Sequence, residues 1–182
     1  MSYDEFDALP ELEDGSVVEL ADGNLELSPG AASDHQMISV ELLYAIKHTC
    51  ELEYVILHEI DVILSPKEVR RPDLVMVSRK RMEIITKKGI KGAPDLVVEI
   101  VSPTSVRRDK ISKLKAYATY GIPEYWIILP AQELLEQYVL GMDGKYELHD
   151  VYVENEEVAS ERLPCVSFTM KEIMSKIPEL PD

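Results

Sequence analysis

The spacing of apolar and polar residues changes period several times along this chain, and each change marks an element. Val17-Val18-Glu19-Leu20 and Leu25-Glu26-Leu27 flank Asp22-Gly23, a pairing that closes a tight hairpin. Ser33 followed by Gln36 fits a capping box, opening a helix to about Thr49 with Met37, Val40 and Tyr44 as its buried stripe. Two short strands are expected near Tyr54 to His58 and Val62 to Leu64.

Leu74 to Val77 and Leu96 to Val101 are β-branched apolar runs of strand length, each preceded by Pro-Asp. Proline is tolerated at a strand entrance because it need not donate to the ladder there. A basic excursion, 78–92, with room for one helical turn, separates the two. Pro103 then breaks the chain before a helix with Thr104 and Ser105 as candidate N-caps. That helix ends at Gly121, and Pro123 bars its continuation. Tyr125 to Leu129 reads as a buried strand holding Trp126 in the core. Leu134 to Leu140 and Lys145 to Val153 form a hairpin around Met142-Asp143-Gly144, and Phe168 to Lys176 a short last helix. Strands and helices are intermixed, so the expected class is α/β (α+β). One domain over 1–182 is expected, a mixed central β-sheet flanked by helices.

The chain has 182 residues, enough for one well-buried core. Its acidic beginning, MSYDEFDALPELEDG, lacks the apolar segment of a signal peptide. No run approaches the roughly 18 apolar residues that span a bilayer. A cytoplasmic protein without a membrane partner is expected, with Cys50 and Cys165 as buried free thiols.

Net charge is −15, which argues against a polyanionic partner until its distribution is considered. Residues 65–115 hold 14 of the 19 basic side chains and 6 of the 34 acidic ones, a local charge of +8. A basic patch of this kind can engage phosphates, weakly and with strong salt dependence. The alternative is a solvated basic face without a ligand.

The same segment carries the candidate chemistry. Asp73 and Glu99 stand in or beside two strands, and two acids on neighbouring strands can share a divalent cation. Hard oxygen ligands suit Mg²⁺ or Mn²⁺ rather than zinc. Glu99 interrupts the apolar run Leu96-Val97-Val98-Glu99-Ile100-Val101, and a carboxylate in a buried strand is costly unless it meets a cation. Asp109, Lys113 and Tyr117 share one helical face. Lys113 can pair with Asp109 at the surface, worth a few tenths of a kcal/mol, or reach the metal site. His35, in the first turn of its helix, can be a ligand, a proton carrier or a hydrogen-bonded surface group. Glu19 or Glu26 can add a further carboxylate, and Asp95 can replace Asp73 or cap its strand. No Gly-rich phosphate loop or dinucleotide fingerprint is present.

RPDLVMV, GAPDLVVEIVSP, Asp109 to Lys113 and GIPEYWIILP together resemble the Uma family of restriction endonucleases, within the PD-(D/E)XK nuclease superfamily. ELADGNLELSPGAASDHQMI matches the family's opening hairpin and helix, and the similarity covers about residues 15–150. The resemblance implies a restriction-endonuclease-like fold and metal-dependent hydrolysis of DNA. It implies Asp73 and Glu99 as metal ligands, Lys113 as the catalytic lysine, and His35 as a site histidine of less defined role. Arg70, Arg71, Arg107 and Arg108 are expected to steer the DNA backbone. A single-site nuclease domain pairs with a second copy to cut both strands, so a homodimer is expected, although no part of the sequence specifies an interface. Two positions depart from the pattern. Val101 stands where the superfamily's Glu-x-Lys has lysine, so the amine must come from the helix. Leu129 stands where the family's YW strand has an aspartate. The rivals are a nuclease-fold binding module that has lost the reaction and a hydrolase of another phosphoester.

Overall fold

The computed structural model describes residues 1–10, 12–101 and 106–180, with the side chains of 106–110 outside that description. A short helix α1 (Tyr3–Asp7) precedes the hairpin β1 (Val17–Ala21) and β2 (Asn24–Ser28). Asp22 and Gly23 both take positive φ, 47° and 79°, the backbone a two-residue hairpin turn demands. Next come α2 (Ser33–Cys50), β3 (Tyr54–His58), β4 (Val62–Ser65), β5 (Glu68–Arg70) and β6 (Leu74–Ser78). A 3-10 turn at Arg79–Ile84 leads to β7 (Ile85–Thr86), β8 (Gly89–Lys91) and β9 (Leu96–Ile100). After α3 (Val106–Thr119) follow β10 (Glu124–Leu129), β11 (Leu134–Leu140) and β12 (Tyr146–Val153). The last elements are β13 (Glu157–Val158), β14 (Phe168–Thr169) and α4 (Met170–Met174).

The expected central mixed sheet is present, in the order β12-β11-β10-β9-β6-β3. A second six-stranded sheet, β2-β1-β5-β4-β8-β7, joins it. Strands β9 and β10 are parallel, joined through α3, while β6 lies antiparallel to β9. Alternation along β6 and β9 divides the core. Leu74, Met76, Leu96, Val98 and Ile100 face α2, Trp126 and Phe168. Val75, Val77 and Val97 face Tyr117 of α3, Tyr125 and the apolar side of the second sheet. The carboxyl end of β9 therefore sits where both layers and both long helices meet.

Three expectations need correction. Helix α2 buries Ile38, Leu42, Ile46 and Cys50, whereas Val40 and Tyr44 are exposed at 57% and 64%. Both stripes recur at helical spacing; the buried one wins because its aliphatic residues reach the central sheet. Ser33 is the first helical residue rather than the cap, and Ala32 caps without a side-chain bond. The candidate caps Thr104 and Ser105 lie outside the described residues.

The third concerns the cysteines. Cys50 and Cys165 form a disulfide across 115 residues, joining the end of α2 to the C-terminal segment. Both ends belong to one apolar cluster, which brings sulfurs so distant in sequence together. Closing a loop of this length removes about 4–5 kcal/mol of denatured-state entropy in the chain model. Cys165→Ser is expected to lower the unfolding free energy by several kcal/mol in urea denaturation. A midpoint unmoved by the substitution would exclude the bond.

Candidate active site

The register of β6 on β9 pairs Leu74 with Val98, so one step further sets Asp73 beside Glu99 on the same face. Asp73 Oδ2 accepts the Ile100 backbone N–H at 2.6 Å, which ties the two strands at this point. Lys113 arrives from α3 and donates its Nζ to both Glu99 oxygens at 2.9 Å. One turn later the Tyr117 hydroxyl donates to Glu99 Oε1 at 2.7 Å. The expected convergence of two acids and one amine is present in the geometry, and Lys113 reaches the site. The side chain of Asp109, its alternative partner, lies outside the described residues.

Two further groups complete the cluster. Glu19, on β1, accepts the Arg71 backbone N–H at 2.7 Å and stands 3.5 Å from Lys113 Nζ. His35 Nε2 meets Asp73 Oδ1 at 2.7 Å, and because a carboxylate only accepts, the imidazole donates. Glu26 does not reach the cluster directly and instead holds Arg70. Glu19 had only a weak signal, a lone acid within the strand Val17-Val18-Glu19-Leu20. Tyr117 had helical phase with Lys113 but nothing to mark its hydroxyl as a partner of Glu99.

Burial governs the electrostatics. Removal from water pushes the Glu99 carboxyl up to about 7, against the pull of Lys113 and with the added push of Asp73 and Glu19. Burial would lower Lys113, but the charges of Glu99 and Glu19 outweigh it and hold the ammonium above its ordinary value. His35 behaves alike: burial pulls it down, and the bond to Asp73 with the surrounding carboxylates raises it overall. The Tyr117 phenol is pushed well above its usual range by burial and then by Glu99.

The expected basic surround is not what these groups face. Arg70 is buried at 2% exposure, bound to Glu68 and Glu26 at 2.8 Å each and 3.5 Å from Glu19. It braces the hairpin against β5 and cannot steer a ligand. Arg71 does line the cleft, where its Nε donates to Asp61 Oδ1 at 2.7 Å. Arg79 is bonded to the carbonyl of Glu51 at the far end of the sheet, and Arg81 pairs with Asp95. Asp95 also accepts the Ser78 N–H, so it closes the entrance of β9 and takes no part in the site. Arg107 and Arg108 have side chains outside the described residues. The cleft, about 1780 Å³, is lined by eight carboxylates against Arg71 and Lys113 among the described residues. Summing charge along the sequence missed this because Arg70 is held by Glu19, Glu26 and Glu68, and Arg79 and Arg81 are bonded away from the cleft.

Asp73 and Glu99 fit a hard divalent cation by donor chemistry. Among the described residues no three His, Cys, Asp or Glu side chains gather as a complete metal cage. Two carboxylates completed by water are a habitual arrangement for Mg²⁺. Lys113 now engages both Glu99 oxygens and Tyr117 takes the second lone pair of Oε1, so Oε2 is the oxygen that keeps capacity for a further partner.

The chain is similar to known proteins in sequence and in fold. A family profile described as "Uma2: Putative restriction endonuclease" matches residues 3–171. A solved structure described as a "putative nuclease belonging to DUF820 from Anabaena variabilis ATCC 29413" superposes with a TM-score of 0.79 at 20% identity. That alignment covers 98% of this chain and 99% of the other, and it shows the same fold. The type IIG restriction endonuclease BpuSI aligns with a TM-score of 0.44 at 15% identity, over 79% of this chain and 15% of its own. No curated protein matches. Among the described residues no helix is long and apolar enough to cross a membrane.

Proposed function

Because the chain belongs to the Uma2 family of restriction-endonuclease-like proteins, we propose that it hydrolyses DNA phosphodiester bonds with a divalent cation held by Asp73 and Glu99. The observation that carries this reading is the meeting of Asp73, Glu99 and Lys113 at the carboxyl end of β9. Mg²⁺ or Mn²⁺ bound there would acidify a water and offset the phosphate charge. The protein's own groups supply the rest. Lys113, fixed as an ammonium, holds a phosphate oxygen and stabilises the charge that grows on it. Tyr117 fixes the rotamer of Glu99, and His35 fixes that of Asp73. Glu19, braced by Arg70, sets the reach of Lys113. Arg71 can release Asp61 to meet the DNA backbone.

The acidic cleft bears on how DNA is held. Eight carboxylates repel a polyanion, so affinity is expected to be low in chelator and to rise with Mn²⁺. Cutting both strands calls for a homodimer, which sedimentation of the protein with and without duplex would reveal.

Asp73→Asn tests the assignment. It keeps side-chain size and an acceptor for Ile100 while removing the charge a cation needs. Nicking of supercoiled plasmid in Mg²⁺ or Mn²⁺ is expected to fall by at least about a hundredfold. Parental rates in this variant would end the proposal. The same charge pattern favours one rival, a nuclease-fold binding module, and Leu129 in place of an acid leans the same way. Calorimetric titration separates the two, because a binding module shows no Asp73-dependent Mn²⁺ uptake. A mononucleotide or phosphomonoester cleaved in preference to duplex would instead identify another phosphoester as substrate.

A further inference from the structure

Four tyrosine rings gather on the Glu99 face of the central sheet. Tyr125 packs edge-on to Tyr117 at 5.1 Å, and lies 5.9 Å from Tyr146 and 6.3 Å from Tyr138. Three of the four hydroxyls donate inside the protein. Tyr117 donates to Glu99 at 2.7 Å, Tyr146 to the Ile122 carbonyl at 2.8 Å, and Tyr138 to Glu136 at 2.8 Å. Tyr125 is fully buried, and its hydroxyl alone among the buried side-chain polar atoms described has no hydrogen-bond partner within the protein.

Such a group is costly, since burial takes it from bulk water and no protein group replaces that bond. Packing does not require it, because phenylalanine would fill the same apolar space. Its position gives it a use. Register sets Tyr125 opposite Val97 and Ile127 opposite Glu99, so Tyr125 points to the face that carries Glu99, two residues back along the strand. The residue lines the same cleft as Glu99, Val101 and Lys113. So enclosed a hydroxyl is out of reach of a DNA phosphate, which leaves a single water-sized oxygen as the largest partner it can take.

We infer that the Tyr125 hydroxyl is a hydrogen-bond donor kept for an oxygen of the hydrated divalent cation that Asp73 and Glu99 would hold. The inference rests on the metal-site reading above. It makes Tyr125 a positioning residue that orients one water of the ion's shell. Tyr117, already bonded to Glu99, serves the carboxylate instead.

Tyr125→Phe and Tyr117→Phe, compared in the full-length protein, test it without reference to activity. In metal-free buffer, Tyr125→Phe should raise the melting temperature by about 2–4 °C, because an unpaired buried hydroxyl is removed. Tyr117→Phe should lower it, because Glu99 loses a donor. In Mn²⁺ calorimetry, Tyr125→Phe should bind about fivefold to tenfold more weakly than the parent. Three results would overturn the inference. A lower metal-free melting temperature would mean the hydroxyl is already paired. Unchanged Mn²⁺ affinity, with parental binding still abolished by Asp73→Asn, would refute the donor role and leave the metal site standing. Absence of Asp73-dependent binding in the parent would remove both.

Discussion

Lys113→Met should slow plasmid nicking by about 10²–10³ and at the same time tighten Mn²⁺ binding. The two effects share one cause. Lys113 Nζ contacts both Glu99 oxygens and stands 3.5 Å from Glu19, so the ammonium occupies the negative focus to which an ion would be drawn. Methionine keeps the length and apolar stem of the side chain but removes that competitor. Transition-state charge then loses its positioned cation, a loss worth about 10²–10³ in rate for a single preorganised donor. Without metal the variant should be less stable by about 3–5 kcal/mol, since Glu99 is left buried and uncompensated. Saturating Mn²⁺ should recover much of this, so the metal-induced rise in melting temperature must exceed that of the parent. A variant that cleaves normally, or gains no more from Mn²⁺ than the parent, would show that Lys113 is a structural counter-ion only.

Glu124→Ala should be the most destabilising substitution away from the site. Glu124 opens β10 with no solvent exposure, and among the described residues it makes no ion pair. Its Oε1 accepts Trp126 Nε1 at 2.6 Å and Gln137 Nε2 at 2.7 Å, while Oε2 accepts the Ser160 hydroxyl at 2.7 Å. Ser160 in turn receives the N–H groups of Arg162 and Leu163, so one carboxylate anchors the C-terminal segment to the central sheet. Alanine orphans three buried donors and leaves a void, and the sum is about 3–5 kcal/mol. The urea midpoint should fall accordingly, with the melting temperature lower by about 10 °C. Glu124→Gln keeps one acceptor oxygen and should lose only about 1 kcal/mol. If alanine and glutamine behave alike, the hydrogen bonds are not what holds this segment. Cleavage per folded molecule should be unchanged in both, because the residue pairs with Leu96 at the opposite end of β9 from Glu99.

Some of the site was legible before any fold was known. Glu99 identified itself by interrupting an apolar strand, since a carboxylate there must find a cation. Asp73 and Lys113 followed from strand mouths and helical phase. Arg70 misled, because its charge was counted without the three glutamates that surround it. Glu19 carries only a weak mark, a lone acid in a hairpin strand, and Tyr125 none, because the site groups each of them faces belong to segments far off in sequence. The buried stripe of α2 was misjudged for a similar reason: two apolar stripes share that helix, and which one is covered depends on the sheet it meets.

Period, turn chemistry and the acid within an apolar run are short-range properties, so the sequence by itself determined the longer strands, the two long helices, the hairpin turns and two of the acidic ligands proposed for a cation, but not α1 or the short strands β5, β7, β8, β13 and β14. Which charges cancel, which cysteines join, which hydroxyl lacks a partner, and that the cleft is acidic were decided only by the tertiary structure. Pairing energies depend on distance through space, and segments from Glu19 to Lys113 reach one point only after the two sheets have closed on each other.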